Sequence, residues 1–211
     1  MEIIREIFLS LGSNQGDRQK LLTMAVNLIE RESGTLLKCS SVYETEPWEM
    51  KEADPFLNQV IQISSSLPPL DLLMILQKIE TNLGRTHHPA TPRRGLRGVY
   101  PAASGATTSP ISPRQGVVSA EFTPLQAGLR HPPSYNFFPR PIDIDILFYS
   151  NQIIDLPGLV IPHPRIPERR FVLVPLAQIA GGFIHPALGK SIRELLEKCQ
   201  DRLKVKLFIN G

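Results

Sequence analysis

Arg140-Pro141-Ile142-Asp143-Ile144-Asp145-Ile146-Leu147-Phe148-Tyr149 places two carboxylates, two residues apart, inside a run that otherwise reads as a buried β-strand. Side chains alternate faces along a strand, so Asp143 and Asp145 emerge on one side while Ile142, Ile144 and Ile146 point to the other. An edge strand with one wet face would give the same alternation. Asp, however, is among the poorest strand formers, and a solvent face more naturally carries Thr, Lys or Glu. Two aligned carboxylates suit a hard cation such as Mg²⁺, which completes its shell with water and substrate phosphates. The strand predicts phosphate chemistry.

Upstream, Glu6 to Leu11 reads as a short apolar strand broken at Gly12-Ser13-Asn14-Gln15-Gly16-Asp17, a turn that caps the helix after it. In that helix Leu21, Leu22, Ala25, Leu28 and Ile29 recur at helical spacing up to Gly34. Leu36 to Tyr43 and Phe56 to Ser64 are strand-like. Pro68-Pro69 opens a second helix, Leu72, Leu73, Leu76, Ile79 and Leu83 form its apolar stripe, and Gly84 closes it. Downstream come Ile153-Ile154 and Leu159-Val160-Ile161, a helix over Glu168 to Ile179, a capping box at Ser191 to Glu194, and a last strand over Lys204 to Phe208. The order predicts an α+β fold: a ferredoxin-like α/β sandwich whose antiparallel sheet has helices packed on one face, the other being left for a site.

Residues 86–136 interrupt this order with a long Pro/Gly/Ser-rich loop that has no periodicity. The chain reads as a single domain, 1–211, with this segment as an insertion. Five of the 23 basic residues and one of the 20 acids lie in it, so the remainder, 18 basic against 19 acidic, is near neutral despite a formal charge of +3. No basic face is required of the fold. The aromatics of the insertion, Tyr100, Phe122 and Tyr135, are scattered, so no nucleic-acid partner is expected. No run is long and apolar enough to span a bilayer, and Met1 to Glu6 resembles no leader peptide, which predicts a cytoplasmic chain with no membrane partner. Cys39 and Cys199 have no CxxC pairing and read as ordinary buried thiols. Nothing demands more than a monomer.

A phosphate site needs its charge neutralised, and the chain has neither G-x-x-x-x-G-K-[ST] nor G-x-G-x-x-G. Arg140 before the Asp strand, and Arg165, Arg169 and Arg170 in Ile161-Pro162-His163-Pro164-Arg165-Ile166-Pro167-Glu168-Arg169-Arg170-Phe171, supply candidate guanidinium forks. Phe56 and Asn58 lie on one face of their strand, where a flat ring could stack on one and hydrogen-bond the other, and Phe171 could close the sandwich.

These pieces fall in a recognisable order. Leu9-Ser10-Leu11-Gly12-Ser13-Asn14, Ser41-Val42-Tyr43-Glu44-Thr45-Glu46-Pro47-Trp48, Phe56-Leu57-Asn58, Ile79-Glu80 through Gly84-Arg85, Pro139 through Leu147, and Ile161-Pro162-His163-Pro164 through Leu176 resemble the 6-hydroxymethyl-7,8-dihydropterin pyrophosphokinase family. The resemblance covers most of residues 7–85 and 139–180. It implies transfer of the diphosphate of ATP to the pterin hydroxymethyl group in folate biosynthesis, with AMP released. It also implies roles: Asp143 and Asp145 holding two Mg²⁺; Phe56 and Phe171 enclosing the pterin, with Asn58 and the stretch Thr45, Glu46 and Trp48 reading its polar edge. Gln77, Glu80, Ile146 and His163 would line the ATP pocket, Arg140 and Arg169 would contact phosphates, and Arg85 would belong to the covering loop.

The chain departs from that pattern in its long insertion and in Phe137 and Phe138, where Trp and Gly are usual. A longer lid loses more entropy on closing, so the insertion predicts weaker ATP binding or slower turnover than in short-loop relatives. Carried further, the same feature gives an alternative, a catalytically impaired ligand-binding module. Retention of Asp143, Asp145, Arg140 and Arg169 argues against it.

Overall fold

A continuous buried run marks the first strand, β1 (Arg5–Ser13), and every other strand of the main sheet is registered directly or indirectly on it. The computed structural model describes residues 3–46, 54–85 and 141–209, all of which belong to one compact unit. Helix α1 (Arg18–Ser33) follows β1, then strands β2 (Thr35–Cys39), β3 (Tyr43–Thr45) and β4 (Phe56–Ser65), helix α2 (Pro69–Asn82) and strand β5 (Asp143–Tyr149). A small hairpin, β6 (Ile154–Leu156) and β7 (Leu159–Ile161), leads through a 3-10 turn at Ile166–Glu168 into α3 (Arg170–Ala180), α4 (Ile192–Lys198) and β8 (Val205–Leu207). The expectations for Trp48, Arg140, Phe137, Phe138 and the 86–136 insertion concern residues outside those described.

The main sheet runs β5-β1-β4-β3-β8, with β2 beside the far end of β4, and all its pairings are antiparallel. That is the ferredoxin-like sandwich expected from the sequence. β1 continues two residues beyond the predicted break at Gly12, because Gly12 and Ser13 pair with Asn58 and Leu57. The single strand expected over Leu36 to Tyr43 is instead two short ones.

Residues opposite each other in an antiparallel pair share a face. Ile7, Leu9 and Leu11 of β1, with Leu57, Ile61 and Ile63 of β4 and Ile144 and Ile146 of β5, meet Leu22, Ala25 and Ile29 of α1 and Leu72, Leu76 and Ile79 of α2 in one core. Each such Leu or Ile contributes roughly 1.5–3 kcal/mol on burial. The second face is not left bare, as the sequence had suggested. Phe8, Val60, Leu147 and Phe148 pack there against Val172, Leu173 and Leu176 of α3 and against Ile192 and Leu195 of α4. A register shift between Phe8 and Leu9 leaves Leu147 without a partner on β1, and Leu147 joins Phe148 in this second core. Cys39 is exposed and only Cys199 is buried, a correction to the expectation of two buried thiols.

Gly84 follows α2 at φ 97°, a conformation that favours glycine, and its N–H donates to Thr81 O at 3.1 Å. The chain thus turns sharply off α2 at Arg85. Ser191 and Glu194 form the predicted capping box at α4, and Asp17 caps α1 by accepting from Lys20 N at 3.1 Å.

Candidate active site

Three strands cooperate to make the open part of the second face. Gly12 of β1 stands opposite Asn58 of β4 on one side and Asp143 of β5 on the other; Ser10 likewise stands between Val60 and Asp145. Asn58, Gly12 and Asp143 therefore form a row across the sheet, and Val60, Ser10 and Asp145 the next. Two strand spacings separate the backbones of Asn58 and Asp143, roughly 10 Å. Both Asp side chains are half-buried while Ile142, Ile144 and Ile146 are buried, the alternation read from the sequence. The following row, Gln62, Phe8 and Phe148, lies where α3 and α4 cover the sheet, so the covered region ends beside the two carboxylates.

Gly12 is the floor between the two ends of the row. A Cβ there would stand 3.2 Å from Asn58 Oδ1 and 3.9 Å from Phe56 Cδ1, so both side chains converge over its bare backbone. Glycine within a strand commonly marks such a close approach. Asn58 Nδ2 donates to Thr45 Oγ1 at 2.7 Å, and Thr45 pairs with Phe56 in the β3–β4 register. Thr45 and Asn58 are buried, Phe56 half-buried and Glu46 exposed.

At the other end, Arg85 Nη1 donates to Asp143 Oδ1 at 2.5 Å and also to Glu80 Oε1. Burial disfavours the Arg85 cation, but the carboxylates of Asp143 and Glu80 outweigh it and raise its pKa. Glu80 is 0% exposed, and the same Oε1 accepts from Ile144 N at 2.8 Å. Its carboxylate therefore lashes the end of α2 to the start of the Asp strand. Rather than lining an open pocket with its side chain, Glu80 holds the two elements that do. Ile146 likewise sends its side chain into the first core, opposite the carboxylates, which leaves its backbone rather than its side chain toward a ligand. Gln77 lies one turn before Glu80 on α2 and is half-buried.

The third side comes from the strap after β7. His163 N donates to Leu147 O at 3.0 Å, fastening the strap along β5, and His163 Nδ1 accepts from Arg165 N at 3.2 Å. Burial lowers the His163 pKa against the opposing charge of Asp145, keeping the ring neutral. Arg169 precedes α3 with its guanidinium carbon 5.5 Å from the centre of the half-buried Phe171 ring. Burial also lowers the Arg169 pKa, opposed by Asp145 and Asp143, and its buried Nε has no hydrogen-bond acceptor among the described residues. A half-buried Arg169 with an unused Nε–H beside two carboxylates fits an anionic ligand such as phosphate, which Arg recognises through paired N–H donors.

Among the described residues no third carboxylate, His or Cys joins Asp143 and Asp145 in a metal-ligand cluster. Two carboxylates on one strand face suit Mg²⁺, an ion that keeps waters and phosphate oxygens in its shell. The donor set fits.

The structure thus gathers Arg85, Asp143, Asp145, His163 and Arg169 at one end of the row and Thr45, Phe56 and Asn58 at the other. Sequence reasoning passed over Gly12 as a turn residue and did not see Ser13, whose Oγ donates to Pro141 O at 2.5 Å and ties the start of the Asp strand to β1. Gly12 carried a usable signal, a glycine closing a short apolar strand. Ser13 carried none, because its partner is 128 residues away.

The 7,8-dihydro-6-hydroxymethylpterin-pyrophosphokinase family model matches residues 8–95 and 117–181, blocks that include all three sides of this site. The chain belongs to that family. A pyrophosphokinase of Porphyromonas gingivalis, named 2-amino-4-hydroxy-6-hydroxymethyldihydropteridine pyrophosphokinase, is 36% identical over 181 residues, 85% of this chain and 93% of that one. The folic acid synthesis protein fol1 of Pneumocystis carinii is 33% identical over 195 residues, 92% of this chain, which spans 20% of the fol1 length. Among solved structures, the Plasmodium falciparum HPPK-DHPS triple mutant with STZ-DHP superposes with a TM-score of 0.60 at 15% identity. That match covers 94% of this pyrophosphokinase-family chain and 44% of the other, and it speaks for the shared fold. The family match runs through part of the predicted insertion, and within 86–136 only residues 96–116 lie outside it.

Proposed function

We propose that the chain transfers the diphosphate of ATP to 6-hydroxymethyl-7,8-dihydropterin, giving the pterin diphosphate and AMP. The pterin hydroxyl oxygen bonds to the β-phosphorus, the bond from that phosphorus to the α-phosphate bridging oxygen breaks, and the hydroxyl proton passes to solvent. The carrying observation is the row Asn58–Gly12–Asp143, which sets a polar and aromatic corner across β1 from a carboxylate pair.

In this reading Phe56 and Phe171 enclose the pterin, while Asn58, Thr45 and the edge at Glu46 and Trp48 read its polar side. Asp143 and Asp145 hold two Mg²⁺, which when bound neutralise the ATP phosphates and lower the cost of charge moving between them. Arg85, Arg140 and Arg169 contact phosphate oxygens. Gln77, the backbone at Ile146 and neutral His163 border the nucleoside. In-line phosphoryl transfer depends on position and charge, and these residues supply both.

The reading takes the whole of 1–211 as one pyrophosphokinase domain with 86–136 as an insertion. It takes the working unit as a cytoplasmic monomer. Purified protein mixed with ATP, Mg²⁺ and 6-hydroxymethyl-7,8-dihydropterin should release AMP, and Asp143→Ala or Asp145→Ala should abolish that release. Background AMP from wild type, indistinguishable from both variants, would overturn the proposal. No observation favours the impaired-module alternative.

A further inference from the structure

Helix α3 starts with a deficit. The residue before it, Arg169, is extended at φ −112°, ψ 99° and offers no side-chain acceptor, and the first turn holds no acid. Two adjacent cations, Arg169 and Arg170, stand at the positive end of the helix dipole, an unfavourable placement. Val172 N and Leu173 N are both satisfied by Arg169 O, at 3.1 and 3.0 Å. Arg170 N, which lies between Arg169 and Phe171, needs an acceptor from elsewhere.

Asp201 supplies it from the C-terminal segment. Its Oδ2 accepts from Arg170 N at 2.9 Å, and its Oδ1 accepts from Leu203 N at 2.9 Å, so the carboxylate is fixed on both sides. Asp201 is 8% exposed. Two residues beyond Leu203 the chain enters β8, where Val205 pairs with Thr45, which itself pairs with Phe56. One short segment therefore reaches the Phe171 side of the site through Asp201 and the Phe56 side through β8.

We infer that Asp201 is a positioning residue for the pterin site: bound to Arg170 N, it fixes the backbone that carries Arg169 and Phe171 and so sets where the Phe171 wall stands relative to Phe56. The inference rests on the pterin reading of Phe56 and Phe171. Asp201 touches no substrate in it and acts through the turn that it holds.

Steady-state kinetics of Asp201→Asn tests this. The substitution keeps the shape but removes the charge and one acceptor, and the KM for the pterin rises roughly five- to tenfold, the usual worth of a cap, while kcat changes much less. Arg170→Pro deletes the donor instead. Proline suits the first helical position and an extended residue before it, so the helix is kept while the bond is lost, and the same rise in KM follows. The double variant is no worse than either single one, and in a Phe171→Ala background Asp201→Asn has little further effect. Asp17→Ala, which removes the cap of α1, lowers thermal stability without moving the pterin KM. An unchanged KM in Asp201→Asn with an active wild type overturns the inference alone. Independent, multiplying penalties for Asp201→Asn and Phe171→Ala do the same. A wild type that releases no AMP overturns the function and the inference together.

Discussion

Arg85 Nη1 lies 2.5 Å from Asp143 Oδ1, so one carboxylate of the Asp strand is engaged by a cation of the chain itself. The same guanidinium reaches fully buried Glu80, and the two carboxylates share its charge. Removing it takes a shared cation away from both carboxylates. Arg85→Met should lower stability by about 3 kcal/mol, the cost of breaking a mostly buried pair. Mg²⁺ should restore more of the melting temperature in this variant than it adds to wild type, because a divalent ion then takes the place of the guanidinium. Equal Mg²⁺ responses in differential scanning calorimetry would refute this.

Gly12→Val should block the corner between Phe56 and Asn58. Its first carbon already falls 3.2 Å from Asn58 Oδ1, and the branch adds two more. Isothermal titration should lose pterin binding by at least an order of magnitude. Strand propensity, meanwhile, holds the melting temperature near wild type, since Val favours strands where Gly does not. Retained binding would mean that the ligand does not use this floor.

Arg18, at the start of α1, donates from Nη1 to Glu44 Oε1 at 3.0 Å and to Pro55 O at 2.7 Å. It thereby ties together the residue before Thr45 and the residue before Phe56. Arg18→Met should raise the pterin KM severalfold and leave the ATP KM unchanged. Its effect on stability should stay within about 1 kcal/mol, because the ion pair is solvent-accessible. Parallel changes in both KM values would argue against so local a role.

His185 provides a pH dependence remote from the site. It is completely buried, its ring meets Phe148 edge-on at 5.3 Å, and burial pushes its pKa down from 6.5 to about 4. Between these values the unfolded chain binds the proton and the folded chain does not. Stability is therefore full above pH 6.5, falls as the pH drops toward 4, and levels off below, a loss of roughly 3 kcal/mol. His185→Phe keeps the aromatic contact and removes the titration. Urea midpoints measured from pH 7 to 4 should fall less for the variant, and parallel curves would clear His185 of the effect.

Local signals carried much of this architecture in the sequence. The alternation at Ile142 to Ile146, the stripes of α1 and α2, the capping box at Ser191 and the glycine after α2 each arise from near neighbours, and each element formed. The fate of the second sheet face was not legible, because nothing local in Val172, Leu173 or Leu176 says which face of which sheet they cover. The leucine stripe of α2 held an unused clue: Glu80 occupies a slot that continues the buried series after Leu76, and a carboxylate there demands a partner. Its partners, Ile144 N and Arg85, are fixed by topology. The same holds for Asp201, whose bond to Arg170 spans 31 residues. Family resemblance named Phe56, Asn58, Asp143 and Asp145 together; the register through Gly12 explains why they stand in one row.

The chain departs after Arg85 and returns at Pro141, and both points are pinned: Arg85 by Glu80 and Asp143, Pro141 by Ser13. Between two anchored ends, extra length is charged only the logarithm of the span, about 0.6 kcal/mol for each doubling. Here, then, is a port at which a lineage can splice in sequence of almost any size without disturbing the strand that carries the carboxylates. Variation in length among relatives should concentrate at this point, and grafted segments, reporters or affinity tags should be accepted there with the sheet intact.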